Sequence, residues 1–173
     1  MDKMKIRSEE KKDLEAIADV HDRAFNGKGE GLLVNLIRKS DAFVPELSIV
    51  AESDGKIVGH VLISKISLIE NGQDLKSLSL APVAVTPELQ GRGIGRKLIE
   101  EGILRARVQG FTSILVLGNP VYYGRFGFTH ELVANIRCRY FCKDFAGVEL
   151  QPNSLKNLKN ASATYPEAFS AVD

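Results

Sequence analysis

The sequence predicts an α/β (α+β) fold: a mixed, mostly antiparallel sheet around one central parallel βαβ unit, with helices on both faces and a V-shaped splay between the two parallel strands. Three observations predict it. Two β-rich runs, residues 47–52 and 56–64, are separated by Ser53-Asp54-Gly55, whose Asp-Gly is a strong hairpin signal. An apolar strand then passes through a knot of glycines and arginines into a long helical pattern and a second apolar strand. Within the first of those strands stands Pro82, which cannot donate to a ladder and so marks a bulge or an interrupted pairing.

Taken in order, residues 5–7 start an edge strand, and Leu14, Ile17, Ala18 and His21 recur at helical spacing, giving a first helix over residues 11–25. The glycine-rich loop 26–31 breaks it, and Leu32, Leu33, Leu36 and Ile37 form the apolar face of a second short helix, so that the two helices wall one side of the sheet. After the first hairpin, a second turn at Glu70-Asn71-Gly72-Gln73 leads into a strand over residues 75–85, completing an antiparallel meander. Ile94, Leu98, Gly102 and Ala106 then share one helix face, and Gly110 supplies the stop. Gly102 inside that helix costs about 1 kcal/mol against Ala, which close packing on the sheet would explain. Residues 113–117 read as a buried strand, parallel to the one before the helix because a helix makes the crossover. Asn119 is a natural N-cap, Pro120 fits the first helical position and Gly127 a left-handed end, so a two-turn helix follows. Beyond it, residues 137–145 form a strand-and-loop region, 148–150 a last strand, and 153–163 a polar surface excursion.

Composition narrows the function. With 173 residues, 44% of them apolar, and no break in composition, residues 1–173 fit one domain with a substantial core. A formal charge of +1 offers no broad basic field for nucleic acid. The start, Met1-Asp2-Lys3-Met4-Lys5, lacks the apolar segment of a secretory signal, and no apolar run approaches the roughly 18 residues of a membrane span, so the expected compartment is the cytoplasm, with no membrane partner. Cys138 and Cys142 read as free thiols, and three scattered histidines give no paired metal-ligand spacing; no metal is expected.

The chemistry concentrates at Gln90-Gly91-Arg92-Gly93-Ile94-Gly95-Arg96-Lys97. Glycines at alternate positions before a helix let backbone N–H groups approach an anion, and the helix N-terminus adds positive potential. Arg92, Arg96 and Lys97 crowd that positive end, an unfavourable placement unless an anion sits there. A P-loop needs four residues between its first glycine and Gly-Lys-Ser/Thr, and a dinucleotide fingerprint begun at Gly91 would need glycine at Arg96; neither fits. If the strand around Val83 to Val85 splays from its parallel neighbour, its backbone groups need another partner, such as an extended amide-bearing ligand.

Two motifs together, Gln90-Gly91-Arg92-Gly93-Ile94-Gly95 and Tyr123 four residues before Gly127-Phe128, carry a family resemblance. The chain resembles the GNAT superfamily of acetyl-CoA-dependent N-acetyltransferases, in a branch of predicted acetyltransferases, over residues 5–145. The resemblance implies transfer of an acetyl group from acetyl-CoA, as co-substrate, to a primary amine by direct attack in a ternary complex. It implies that backbone N–H groups of Gly91, Arg92, Gly93, Ile94, Gly95 and Arg96 bind the coenzyme A pyrophosphate, with Gln90 leading the turn. It also implies that the segment Val83-Ala84-Val85 pairs with the pantetheine amides through the main chain of Val83 and Val85, Val83 N–H facing the thioester carbonyl. Asn119 would reach the pantetheine arm, although in many relatives the corresponding Asn lies further upstream. Tyr123 would protonate the departing sulfur, since a phenol near pKa ~10 can protonate a thiolate whose acid is near ~8.5. The plainer reading packs Tyr123 against the strand with Phe126.

Glu30, Glu46, Glu52, His60 and Ser79 are all open as the general base, as are water chains, and none is singled out. The acceptor is a small-molecule amine or a protein amine, and a homodimer stays open. The alternative reading is a noncatalytic acyl-CoA binding module or sensor, against which Tyr123 is the distinguishing feature; a bare phosphate-binding domain is the third.

Overall fold

Among the residues described by the computed structural model, 3–172, nine strands join in one sheet; Met1, Asp2 and Asp173, the outer ends of the stretch read as one domain, lie outside the described residues. The elements are β1 (Met4–Ser8), α1 (Leu14–Phe25), α2 (Gly29–Arg38), β2 (Ser48–Ser53), β3 (Lys56–Glu70), β4 (Gln73–Asp74) and β5 (Ser77–Val85). They continue with α3 (Ile94–Val108), β6 (Ser113–Leu117), α4 (Pro120–Gly124), β7 (Ile136–Arg137), β8 (Phe145–Glu149) and β9 (Ala161–Thr164). The main order is β1-β2-β3-β5-β6-β8, with β5 and β6 parallel and the other pairs along it antiparallel. Both hairpin turns adopt the left-handed pairs their sequences favour, Asp54 and Gly55 at φ 50° and 76°, Asn71 and Gly72 at φ 53° and 76°.

Alternation along the strands divides the core. Ile49, Ala51, Val61 and Ile63 pack beneath Leu98, Ile99 and Ala106 of α3, whereas Val50 and Leu62 pack beneath Ile17, Leu33, Val34 and Ile37 of α1 and α2. Gly102 is explained by this packing: a Cβ there would come within 2.5 Å of Ile63 Cδ1. Helix α3 ends as the sequence indicates, with Gly110 at φ 87° and bonds from Gly110 N–H to Arg107 O and from Phe111 N–H to Ala106 O.

Four local expectations change. Helix α2 begins at Gly29, inside the expected loop, and its buried face is Leu33, Val34 and Ile37, leaving Leu32 47% exposed. Strand β3 runs to Glu70 rather than Ser64, because its far half finds new partners in β4 and β9. The helix after Asn119 is shorter than two turns, ending at Gly124. The strand expected at 148–150 is the end of β8 and is not the last: the polar excursion contains β9, inserted between β3 and β7, and Glu70 secures its entry by accepting from the N–H groups of Lys159 and Asn160.

A buried polar chain pins the helical wall to the sheet. Arg38 of α2 makes a paired contact with Glu9 (2.8 and 3.1 Å), and Ser48 of β2 donates its hydroxyl hydrogen to the same carboxylate. With that hydrogen committed, Ser48 Oγ can only accept from His60 Nε2–H (2.8 Å), so His60 Nδ1 is bare and accepts from His21 Nε2–H of α1 (2.8 Å). The order of donations leaves His21 Nδ1 as a buried lone pair, and that atom has no partner. Burial, helped by His60 and Arg38, holds the His21 imidazole down to about 3 from its ordinary 6.5. Burial pushes Glu9 up, but the nearby His60 imidazole and the hydrogen bonds from Arg38 and Ser48 outweigh it and hold the carboxyl at about 2.

Both groups bind fewer protons in the folded chain than in the unfolded one, so their contribution is fully present above the unfolded values and is lost on acidification. His21 acts first, as pH falls below 6.5 toward 3, and Glu9 follows between 4.5 and 2. Unfolding free energies from urea titrations are therefore expected to fall from pH 7 to pH 5, with a slope approaching about 1.4 kcal/mol per pH unit for a single group well below its unfolded value. His21→Gln, which keeps a donor to His60 but does not titrate, should flatten the slope; an unchanged slope would contradict this account.

Candidate active site

The βαβ unit opens at one end. The β5–β6 ladder pairs Ser77, Leu78 and Ser79 with Ser113, Ile114 and Leu115 and goes no further, while β6 continues to pair with β8 as far as Leu117. The cause lies at Pro82: a register shift between Val61 and Ile63 sets Ala81 and Pro82 together opposite Leu62, a bulge that turns β5 away. Past the bulge, Thr86 N–H donates to Val58 O (2.9 Å). Alternation in an antiparallel ladder then turns the polar main-chain groups of Ala84 toward β3 and those of Val83 and Val85 toward the opening. Val85 O, facing that way, accepts from Gln90 Nε2 at 3.0 Å, which ties the strand end to the glycine loop.

The loop delivers the chain into α3 without a side-chain cap. Gly91 and Gly93 take φ of 77° and 83°, and Gly93 occupies the N-cap position, followed by a first turn with no acidic residue. Lys97 N–H closes on Gly93 O (3.1 Å), so the N–H groups of Ile94, Gly95 and Arg96 precede the first intrahelical bond. Gly95 serves the packing of the neighbouring helix instead. A Cβ there would meet Tyr122 Oη at 3.0 Å, so the third glycine makes room for α4. Of the three cations noted in the sequence, Arg96 is balanced by Glu100 one turn on (2.8 Å), and this exposed pair competes weakly with a bound anion.

Two cavities meet in this opening. One, about 490 Å³, is lined by Val83, Ala84, Val85 and Gln90, by Gly91, Gly93, Ile94, Gly95 and Arg96, and by Phe25, Tyr122 and Arg125 among others. The second, about 380 Å³, lies on the other side of Val83 and Phe25, which both cavities share; its walls include Glu30, Ser79, Leu117, Tyr123, Tyr140, Tyr165 and Phe169. The structure thus gathers ten of the twelve sequence-predicted site residues around two adjacent cavities. Arg92 is exposed and is not in either wall. Asn119 is the other: its Oδ1 caps α4 by accepting from Val121 N–H (2.9 Å) and Tyr122 N–H (3.3 Å), and it lines neither cavity.

Tyr123 is held on three sides. Its ring meets Tyr122 edge-on at 5.1 Å and Phe128 at 5.8 Å, and Gly118 lies so close beneath it that a Cβ would fall 2.5 Å from Cε2. Phe126, the expected packing partner, meets Tyr122 instead, at 5.6 Å. Burial pushes the Tyr123 hydroxyl up to about 12, with Tyr122 adding to the shift, so it stays protonated and able to donate.

The candidate bases separate. Glu30 and Ser79 line the second cavity. His60 is fully buried in the polar chain, Glu52 pairs with Arg7 (3.0 Å), and Glu46 is exposed beside the Arg105 contact to its carbonyl. Sequence reasoning missed Phe25, Tyr122 and Arg125, whose guanidinium lies 5.0 Å over the Tyr122 ring, and also Tyr140, Tyr165 and Phe169 from the far C-terminal region. Among the described residues, no group of three or more His, Cys, Asp or Glu could hold a metal ion, no helix is long and apolar enough to cross a membrane, and both cysteines are free.

Known proteins are similar to this chain in sequence and fold. A family model described as an acetyltransferase (GNAT) domain matches residues 5–130. YjhQ of Escherichia coli K12, an uncharacterized N-acetyltransferase, is 38% identical over 119 residues, 69% of this chain and 66% of YjhQ. YhbS of the same strain, also an uncharacterized N-acetyltransferase, is 31% identical over 137 residues, 79% of this chain and 80% of YhbS. The crystal structure of Escherichia coli YhbS in complex with CoA superposes with a TM-score of 0.88 at 28% identity, covering 98% of this chain and 93% of that one. A GNAT family acetyltransferase from Brucella melitensis in complex with acetyl-CoA gives 0.79 at 32% identity, covering 96% and 98%.

The close seat of Tyr123 can be tested directly. Gly118→Ala should displace the ring and destabilise the fold by about 1–3 kcal/mol, the range for overpacking; a wild-type urea midpoint would show that the ring yields without cost.

Proposed function

The chain belongs to the GNAT acetyltransferase family, and from that premise we propose that it transfers an acetyl group from acetyl-CoA to a primary amine by direct attack in a ternary complex. The observation that carries this reading is the adjacency of the two cavities, which share Val83 and Phe25 as walls, with an uncapped helix N-terminus lining one and Tyr123 the other. The N–H groups of the loop and first turn, from Gly91 to Arg96, receive the pyrophosphate, and Arg125 adds a cation at the same groove. Val83 and Val85 offer their outward main-chain groups to the pantetheine amides, with the Val85 carbonyl shared with Gln90. Ala84 contributes wall rather than main-chain bonds, and Asn119 acts by seating α4 rather than by touching the arm.

Acetyl-CoA supplies an acyl group activated as a thioester. The amine nitrogen forms a C–N bond to the carbonyl carbon, the C–S bond breaks, the sulfur leaves with its electron pair, and the nitrogen sheds one proton to water. Val83 N–H faces the position where the oxyanion grows; such donors contribute about 3 kcal/mol each in enzymes generally. Tyr123 donates a hydrogen bond to the departing sulfur, which later takes its proton from solvent. Of the sequence-derived base candidates, Glu30 and Ser79 line the second cavity; neither is singled out, and the amine proton passes to water. The related structures with CoA and acetyl-CoA bound support the choice of co-substrate.

Calorimetric titration with acetyl-CoA, followed by thiol release across an amine panel, tests the proposal: binding without turnover on any amine would favour an acyl-CoA sensor, and no binding would remove the function altogether. Gly93→Asp places a negative charge and a strained side chain at φ 83° and should abolish measurable acetyl-CoA binding; unchanged affinity would clear the loop of this role. Tyr123→Phe should lower kcat about 100-fold with acetyl-CoA affinity within about twofold of wild type; an unaltered kcat would leave Tyr123 a packing residue.

A further inference from the structure

Resting on the proposed acetyl transfer, the walls of the second cavity narrow the acceptor. Five aromatic rings line it: Phe25, Tyr123, Tyr140, Tyr165 and Phe169. Tyr165 meets Tyr140 and Phe169 edge-on, with centroids 4.8 and 5.1 Å apart, while Tyr140 and Phe169 are tilted to each other at 6.5 Å, so the three rings pack as one cluster. Glu30, in the first turn of α2, is the single charged residue among the described residues that line the cavity. The neighbouring cation, Arg139, is engaged elsewhere: it stacks on the Tyr140 ring at 5.0 Å and donates to Ser170 Oγ at 2.8 Å. The remaining cations of the opening, Arg96 and Arg125, belong to the other cavity.

Each acceptor class meets this wall differently. A free amino acid would bring a carboxylate into a space with no cation among its described lining residues to receive it and with Glu30 to repel it. A polyamine or an aminoglycoside would bring several cations, of which one carboxylate and the ring faces could serve only one or two, stranding the others in an apolar enclosure. A monoamine with an apolar body matches on both counts: its ammonium form is drawn by Glu30 and the ring faces, and its body replaces water against the aromatic wall. At about 380 Å³, shared with the acetyl end of the donor, the space suits a body of roughly one ring or a branched alkyl chain. We propose that the acceptor is a small primary monoamine with an apolar, carboxylate-free body, held by Glu30 and the aromatic wall formed by Tyr140, Tyr165 and Phe169.

The test uses the full chain with acetyl-CoA and four amines: 2-phenylethylamine, isopentylamine, L-phenylalanine and spermidine, with thiol release and the mass of the N-acetyl product as readouts. L-phenylalanine differs from 2-phenylethylamine by its carboxylate alone, so the pair isolates the charge argument in the unmutated protein. Expected is a kcat/KM for 2-phenylethylamine or isopentylamine at least about 100-fold above that for L-phenylalanine and spermidine. Glu30→Gln should raise the KM of the preferred monoamine about tenfold and leave the calorimetric Kd for acetyl-CoA unchanged. Equal or better turnover of L-phenylalanine or spermidine overturns the acceptor class and leaves acetyl transfer standing. Absence of acetyl-CoA binding, or of turnover with every amine, instead removes the proposed function and this inference with it.

Discussion

The site depends on one interrupted ladder. Parallel strands normally satisfy each other along their length, and had β5 and β6 done so past Ser79 and Leu115, the polar groups of Val83 and Val85 would be spent within the sheet. The bulge at Ala81 and Pro82 prevents that: two residues face Leu62 alone, β5 bends, and the freed edge points across open space toward Leu117 and Tyr123. Because β3 keeps its pairing to Val83, Ala84 and Val85 on the other side, the freed edge remains a straight, ordered strand. A ligand meeting it would find backbone donors and acceptors already in place, with the entropy of ordering them settled by folding.

Holding the cavity's other wall is a separate problem, solved with polar groups. Helices α1 and α2 carry Phe25, Glu30 and Leu33 into the opening, yet apolar packing alone would let them slide on the sheet. The chain from Arg38 through Glu9, Ser48 and His60 to His21 joins both helices to β2 and β3 by directional bonds. Its polarity is fixed from the carboxylate end, since one serine hydrogen decides both histidine tautomers. The cost is one unsatisfied buried nitrogen on His21, of the order of 1–3 kcal/mol, and Phe25 stacks parallel to that ring one turn on, at 6.1 Å. A wall positioned by directional bonds is registered to the sheet in a way that apolar contact does not enforce.

How much could be read from the sequence follows from where each signal resides. The glycine loop, the α3 face, both Asx-Gly turns and the capped entry to α4 are local, governed by φ preference, periodicity and missing donors, and they stand where the residues indicate. The splay was also legible, because a proline in an apolar strand has few structural meanings. Strand β9 was not: Ala161-Ser162-Ala163-Thr164 carries little strand propensity and is extended because β3 and β7 flank it. The same holds for the aromatic wall, since Tyr165 and Phe169 meet Tyr140 only after the chain has crossed β8 and β9. Gly95 and Gly118 show a subtler limit. Gly118 is required by the Tyr123 ring of α4 that packs against it, and Gly95 lies close beneath the Tyr122 hydroxyl, reasons no spacing rule contains.

The burial of Tyr123 changes what it can contribute to the proposed reaction. A phenol at its ordinary pKa of ~10 would lie within about two units of a free thiol at ~8.5, and proton transfer to the departing sulfur would be nearly balanced. With the hydroxyl pushed up to about 12, transfer to a solvated thiolate runs uphill, and a complete proton transfer would leave a phenolate buried between Tyr122 and Phe128. The same desolvation acts on the sulfur, however. As the C–S bond lengthens inside the cavity, negative charge builds on an atom that water reaches poorly, and a neutral hydroxyl dipole aimed at it gains strength in that low dielectric. The environment that weakens Tyr123 as an acid therefore strengthens it as a hydrogen-bond donor, and it keeps the residue neutral, hence ready to donate, across the pH range in which an amine can be free to attack.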